Sequence, residues 1–119
     1  MALEYNPYHT LEILIATQNR TSLDFLSKMF PKSDFNAIKI LIVNQTVKSK
    51  KLISDIPNIR VINAFEKGLS KSRNLALKNA SCDIVLIADD DVVYEQGFFK
   101  IILDAFNSLP REELITFKA

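Results

Sequence analysis

The sequence predicts an α/β domain of three layers, a mostly parallel sheet with helices on both faces. Three observations lead there. Short apolar runs recur at residues 13–16, 38–43, 59–62 and 84–88 with little polar alternation, as in strands buried on both faces. Between them lie segments with helical apolar spacing or turn residues, so successive strands are joined by right-handed crossovers. Each run then gives way to polar side chains, at Thr17 and Asn19, Asn44, Asn63 and Asp89. The carboxyl ends of the strands are where open α/β sheets bind ligands.

Length and composition agree with one small domain over 1–119. A chain of 119 residues buries roughly two-thirds of its unfolded surface. Its 48% apolar and 24% charged content is that of a globular protein, and a net charge of +1 gives no strong field for nucleic acid or an anionic membrane. Cys82 is the single cysteine, so no intramolecular disulfide forms. It reads as an inert small residue in a reducing compartment, and the expected location is cytoplasmic. No basic-then-apolar leader opens the chain, and no apolar run reaches the ~18 residues of a membrane span. Two glycines leave neither the P-loop nor the dinucleotide-loop spacing.

The elements follow in order. Residues 1–10 read as a loose lead-in, with His9 on the surface. The first strand ends in Thr17-Gln18-Asn19-Arg20. A helix follows, with Thr21 able to cap it, Asp24 in its first turn, a stripe of Leu23, Leu26, Met29 and Phe30, and Pro31 as its stop. The second strand ends in Asn44-Gln45-Thr46. Lys48, Lys50 and Lys51 come next and read as a solvated helix face, with attraction of phosphate as the competing reading. The third strand ends at Asn63. Gly68 permits a tight entry into a helix from Leu69 to about Asn79, with Ser70 as its N-cap. Lys71 and Arg73 then fall in the first turn, where the macrodipole disfavours cations. Either an anion is held there by helix N–H groups and Arg73, or Arg73 pairs with a carboxylate such as Asp89 or Asp91. After the fourth strand, Phe98, Ile101, Ile102, Ala105, Phe106 and Leu109 give a helical stripe stopped by Pro110. Residues 114–117 have the character of a further strand.

The fourth strand runs straight into Asp89-Asp90-Asp91. If extended geometry persists, Asp89 and Asp91 point one way and Asp90 the other. Two such carboxylates ~4 Å apart would repel by about 4 kcal/mol at an effective dielectric near 20. A cation is therefore expected beside them, and hard oxygen ligands suit Mg2+ or Mn2+. The competing reading is a solvated acidic loop. The gathering of polar residues at every strand end argues against it.

Four pieces occur in one order: Ile13-Leu14-Ile15-Ala16-Thr17-Gln18-Asn19-Arg20, Ile40-Leu41-Ile42-Val43-Asn44-Gln45-Thr46, Gly68-Leu69-Ser70-Lys71-Ser72-Arg73-Asn74 and Ile87-Ala88-Asp89-Asp90-Asp91. Together they resemble the nucleotide-binding half of family-2 glycosyltransferases, whose GT-A fold is Rossmann-like. The resemblance runs over about 11–109. The glycine-to-Arg-Asn helix start and the acidic triplet are its specific parts. It implies that Thr17, Asn19 and Arg20 contact the nucleoside and that Arg73 lies near the ribose and diphosphate. Asp89 and Asp91 match the DxD carboxylates, with Mn2+ or Mg2+ as cofactor, and Asp90 is counted with the donor-binding residues.

Two departures qualify it. Asn44-Gln45 stands where the family has an acidic pair, although the Asn44 carbonyl can still accept a bond from the base. No position matches the acceptor half, which supplies the base that deprotonates the acceptor hydroxyl. The expectation is a truncated GT-A domain. It would bind a nucleotide-diphosphate sugar and transfer it only if completed by an acceptor half. The alternative is a non-catalytic nucleotide-binding module. In either case a second copy or a partner chain is expected over the truncated face. A nucleotidyltransferase is more distant, because its Gly-rich first loop is absent.

Overall fold

The computed structural model describes residues 11–31, 39–81 and 84–94, together with 97, 101 and 104. His9, Cys82 and the strand expected at 114–117 lie outside the described residues. Of the helix expected over 98–109, positions 101 and 104 are described, and both are helical.

In chain order the elements are β1 (Leu11–Gln18), α1 (Phe25–Met29), β2 (Lys39–Gln45), β3 (Ile59–Ala64), α2 (Leu69–Lys78) and β4 (Ile84–Asp89). The strands form one four-stranded sheet in the order β3-β2-β1-β4, and every pairing is parallel. Alternation along the strands builds the two faces. Ile13 and Ile15 of β1 and Ile40 and Ile42 of β2 pack with Phe25, Leu26 and Met29 of α1. Their neighbours Leu14, Leu41 and Val43 pack with Ala76 and Leu75 of α2. The central strands are therefore apolar on both faces, as in a three-layer α/β domain. Ile13, Ile15, Ile40 and Ile42 are each 0% exposed, a burial worth about 1.5–3 kcal/mol per side chain.

Three local expectations are corrected. Thr21 does not cap α1, which begins only at Phe25, and Asp24 precedes the helix without a side-chain cap bond. The entry is a tight turn instead, in which Leu26 and Ser27 donate to the carbonyls of Leu23 and Asp24. Ser70 does not cap α2 either. The N-cap is Gly68 at φ +130°, a backbone conformation that glycine adopts freely. The chain carrying Lys48, Lys50 and Lys51 is a turn, not a helix. Lys50 donates to Val47, and the Thr46 hydroxyl donates to the Lys50 carbonyl at 2.8 Å. Leu52, 1% exposed, then anchors this connection to the core, where a crossover helix would otherwise sit.

A buried carboxylate joins α2 to the opposite end of the sheet. Glu12 is 1% exposed. It accepts bonds from Arg60 at 3.0 Å and from the Ser81 N–H at 2.7 Å, while Arg60 also donates to the Asn79 carbonyl just past α2. This clamp ties the chain that follows α2 to β1 and β3, at the end of the sheet away from Arg73.

Candidate functional site

The parallel register brings the strand ends level. Thr17 lies opposite Asn44, Asn44 opposite Asn63, and Ala16 opposite Asp89. On the face that carries α1, the polar groups at these ends bond to one another in an unbroken row. The Thr17 hydroxyl donates to Asp90 at 2.6 Å. Arg20 donates to Asp90 and to the Thr17 oxygen, both at 3.1 Å, and its guanidinium lies 4.6 Å from the centroid of the Phe25 ring. The Arg20 backbone N–H and carbonyl are both met by the Asn44 carboxamide, at 3.0 and 2.9 Å. Asn44 also donates to Asn63, which in turn bonds both backbone groups of Leu52 at 2.9 Å.

Burial alone would raise the Asp90 carboxyl. The bonds from Thr17 and Arg20 and the Arg20 charge outweigh it and hold the group below its ordinary value.

The face that carries α2 has a different arrangement. Arg73 donates to Asp89 at 2.8 Å, with both side chains well exposed. Asp91 is exposed and has no bonding partner among the described residues. A cleft of about 480 Å³ opens here. Thr17, Gln18 and Gln45 form its strand side, Ser72 and Arg73 its helix side, and Asp89, Asp90 and Asp91 its rim. Tyr94, on the loop that follows, donates its N–H to Met29 and stacks on Phe30. Burial, and then the Asp89 charge, push its hydroxyl above the ordinary value.

A second cleft of about 480 Å³ continues from the first. Gln18 and Gln45 are common to both. Asn19, Thr46, Val47, Phe65, Lys67 and Gly68 complete it. Asn19 takes φ +54°, which an asparagine tolerates better than most residues, and its N–H donates to Gln45 at 2.9 Å. The Gln45 side-chain oxygen accepts the Gly68 N–H at 3.0 Å.

Of the residues expected at a ligand, Thr17, Asn19, Arg73, Asp89, Asp90 and Asp91 line one cleft or the other. Asn44 and Arg20 line neither. Asn44 is 0% exposed, and its carboxamide bonds neighbouring chain, so the expected bond from its carbonyl to a base gives way to a structural one. Arg20 turns its guanidinium onto Asp90 and Phe25. Asp89 and Asp90 take different partners, Arg73 and Arg20, but the extended geometry does not persist: β4 ends at Asp89, and Asp90 and Asp91 lie in a turn. Gln18, Gln45 and Phe65 were not anticipated. Alternation could have found the two glutamines, since Leu14 and Ala16 lead to Gln18, and Leu41 and Val43 lead to Gln45, on the α2 face.

The donor set fits a hard divalent cation. Asp89 and Asp91 are carboxylates on one cleft, and Arg73 already balances one of them. Among the described residues no group of three or more His, Cys, Asp or Glu side chains is assembled to hold a metal, so a bound ligand would have to supply further oxygens. No described helix is long and apolar enough to cross a membrane.

A sequence profile of the family described as Glycosyl transferase family 2 matches residues 6–112. Among solved structures, the crystal structure of S. aureus TarS is similar, with a TM-score of 0.58 at 20% sequence identity. The match covers 83% of this chain and 20% of that one, so the chain spans about a fifth of TarS, and the likeness is one of fold. No curated protein matches the sequence.

Proposed function

Because the chain belongs to glycosyl transferase family 2, we propose that it binds a nucleoside-diphosphate sugar along the two confluent clefts. The observation that carries this reading is the cluster of Arg73, Asp89 and Asp91 on one cleft at the carboxyl edge of a parallel sheet. Arg73 is exposed enough to turn from Asp89 to a diphosphate, and a guanidinium binds phosphate oxygens in a fixed fork. Asp89 and Asp91 would hold Mg2+ or Mn2+. When bound, that ion would act as a Lewis acid and template on the diphosphate leaving group. Thr17 and Arg20 already bond Asp90, which leaves Asp89 and Asp91 as the carboxylates for the cation. The test is a binding screen of nucleoside diphosphates with and without Mn2+. Metal-dependent binding is expected, and failure of every nucleotide to bind would overturn the reading.

A second reading, donor binding without catalysis, is favoured by one observation. Among the described residues, the clefts carry no carboxylate beyond the triplet. Sugar transfer needs a base for the acceptor hydroxyl, which typically contributes ~10^2–10^4-fold. By itself the chain should release nucleotide slowly, and adding sugar acceptors should not accelerate it. Acceptor-dependent turnover near ~1 per second or faster would contradict this. Leu77 and Ile87 are 44% and 45% exposed, and β4 is an edge among the described strands. Both support a second copy or a partner chain over that side. Light scattering tests this, with a monomer at high concentration as the contrary result.

A further inference from the structure

The two clefts differ in chemistry. Every carboxylate lining either of them belongs to the first. The second offers apolar side chains and carboxamides, with Thr46 and Lys67 beside them. Val47 and Phe65 stand 54% and 46% exposed on it, and Gln18 and Gln45 form the wall it shares with the first. The Lys48 and Lys51 ammonium groups lie 6.0 and 5.9 Å from the centroid of the Phe65 ring. An aromatic ring beside amide edges, approached through positive charge, suits a planar heteroaromatic ring joined to an anion.

We propose that Phe65 is the stacking platform for the nucleobase and that Gln45 reads the base edge as a donor. The chain then accepts purine and pyrimidine nucleoside diphosphates alike. This rests on the donor-binding reading and adds the class of base to it. A carboxylate at the base would accept only, and would therefore select an edge carrying an imide N–H. Among the described residues none lines this cleft. Asn44 is fully buried and committed to Arg20 and Asn63. The Gln45 oxygen already accepts the Gly68 N–H, and its amide hydrogens remain to donate, so unlike a carboxylate this group can donate to a base edge as well as accept from one. Each base carries an acceptor on its edge that such a donor can meet. Stacking is equally tolerant, because each base has a π-face.

The experiment is equilibrium binding, with Mn2+, of uridine, guanosine and adenosine diphosphates and of inorganic pyrophosphate to the intact chain and to Phe65→Leu. The three nucleotides are expected within about tenfold of one another and each at least about tenfold tighter than pyrophosphate. Phe65→Leu should lose on the order of tenfold for the nucleotides and nothing for pyrophosphate. Its side chain is half exposed, so the fold should survive, and unchanged pyrophosphate affinity reports that. A preference for one base above about a hundredfold, or nucleotide affinity indifferent to Phe65→Leu, overturns the inference while donor binding stands. If neither pyrophosphate nor any nucleotide binds, the donor reading falls and this inference with it.

Discussion

Arg20 and Asp90 meet at 3.1 Å across the end of the sheet, and Thr17 donates to the same carboxylate oxygen at 2.6 Å. Asp90 is therefore bonded into the framework at the rim of the cleft, while Asp89 beside it pairs with Arg73.

The first consequence concerns pH. Asp90 is held below its ordinary value of 3.8. Around that value the folded chain binds fewer protons than the unfolded one. By linkage, the stability Asp90 contributes is complete above the ordinary value and is lost as pH falls through the folded one. The parent should melt higher than Asp90→Asn near neutral pH, and thermal melts through the acid range should bring the two together. A constant gap would mean that the Asp90 charge contributes nothing.

Asn44 should matter to stability. Asn44→Ala leaves the Arg20 N–H and carbonyl short of partners at a site with 0% exposure, a loss of about 1–3 kcal/mol. Asn44→Asp keeps the size of the side chain yet should destabilise too. A carboxylate cannot donate to the Arg20 carbonyl or to Asn63. Denaturant unfolding of both variants checks this, and wild-type stability in Asn44→Asp would contradict it.

Arg73 should behave in the opposite way. Its pair with Asp89 is 39% and 59% exposed, and pairs of that kind are worth about 0–1 kcal/mol. Arg73→Ala should melt within a few degrees of the parent and bind nucleoside diphosphate about ten- to a hundredfold more weakly, the worth of a charge-assisted bond. A large loss of stability with unchanged affinity would make Arg73 a structural residue.

Glu12 lies at the far end of the sheet from both clefts. Glu12→Ala leaves Arg60 and the Ser81 N–H without their carboxylate. Breaking a buried pair from one side costs about 3–5 kcal/mol, and the partial exposure of Arg60 argues for the lower end. Chemical unfolding should show this loss, with nucleotide affinity of the folded fraction preserved. Weaker binding at full stability would mean that the clamp reaches the site.

Much of this was legible from the residues in order. The apolar runs marked all four of the described strands. What escaped depends on neighbours that are distant in sequence. Whether Asn44 faces a ligand or its neighbours is decided by the register that sets it between Thr17 and Asn63. Thr21 and Ser70 are good caps in isolation, but the entry to each helix is set by the turn at 22–24 and by the Gly68 bond to Gln45. Lys48, Lys50 and Lys51 belong to a turn because Thr46 and Asn63 bond its backbone, an arrangement that local propensity does not reveal. Gln18 and Gln45 were within reach of alternation, but amides at strand ends carry less of a signal than acids.

The central claim is that Asp89 and Asp91 hold a divalent cation together with a diphosphate. Calorimetric titration of Mn2+, with and without a nucleoside diphosphate, tests it on the parent, Asp89→Ala and Asp91→Ala. The account predicts weak binding of the metal alone, clearly tighter binding when the nucleotide is present, and loss of that gain in both variants. Equal Mn2+ affinity in all three proteins, with the nucleotide present, would contradict it.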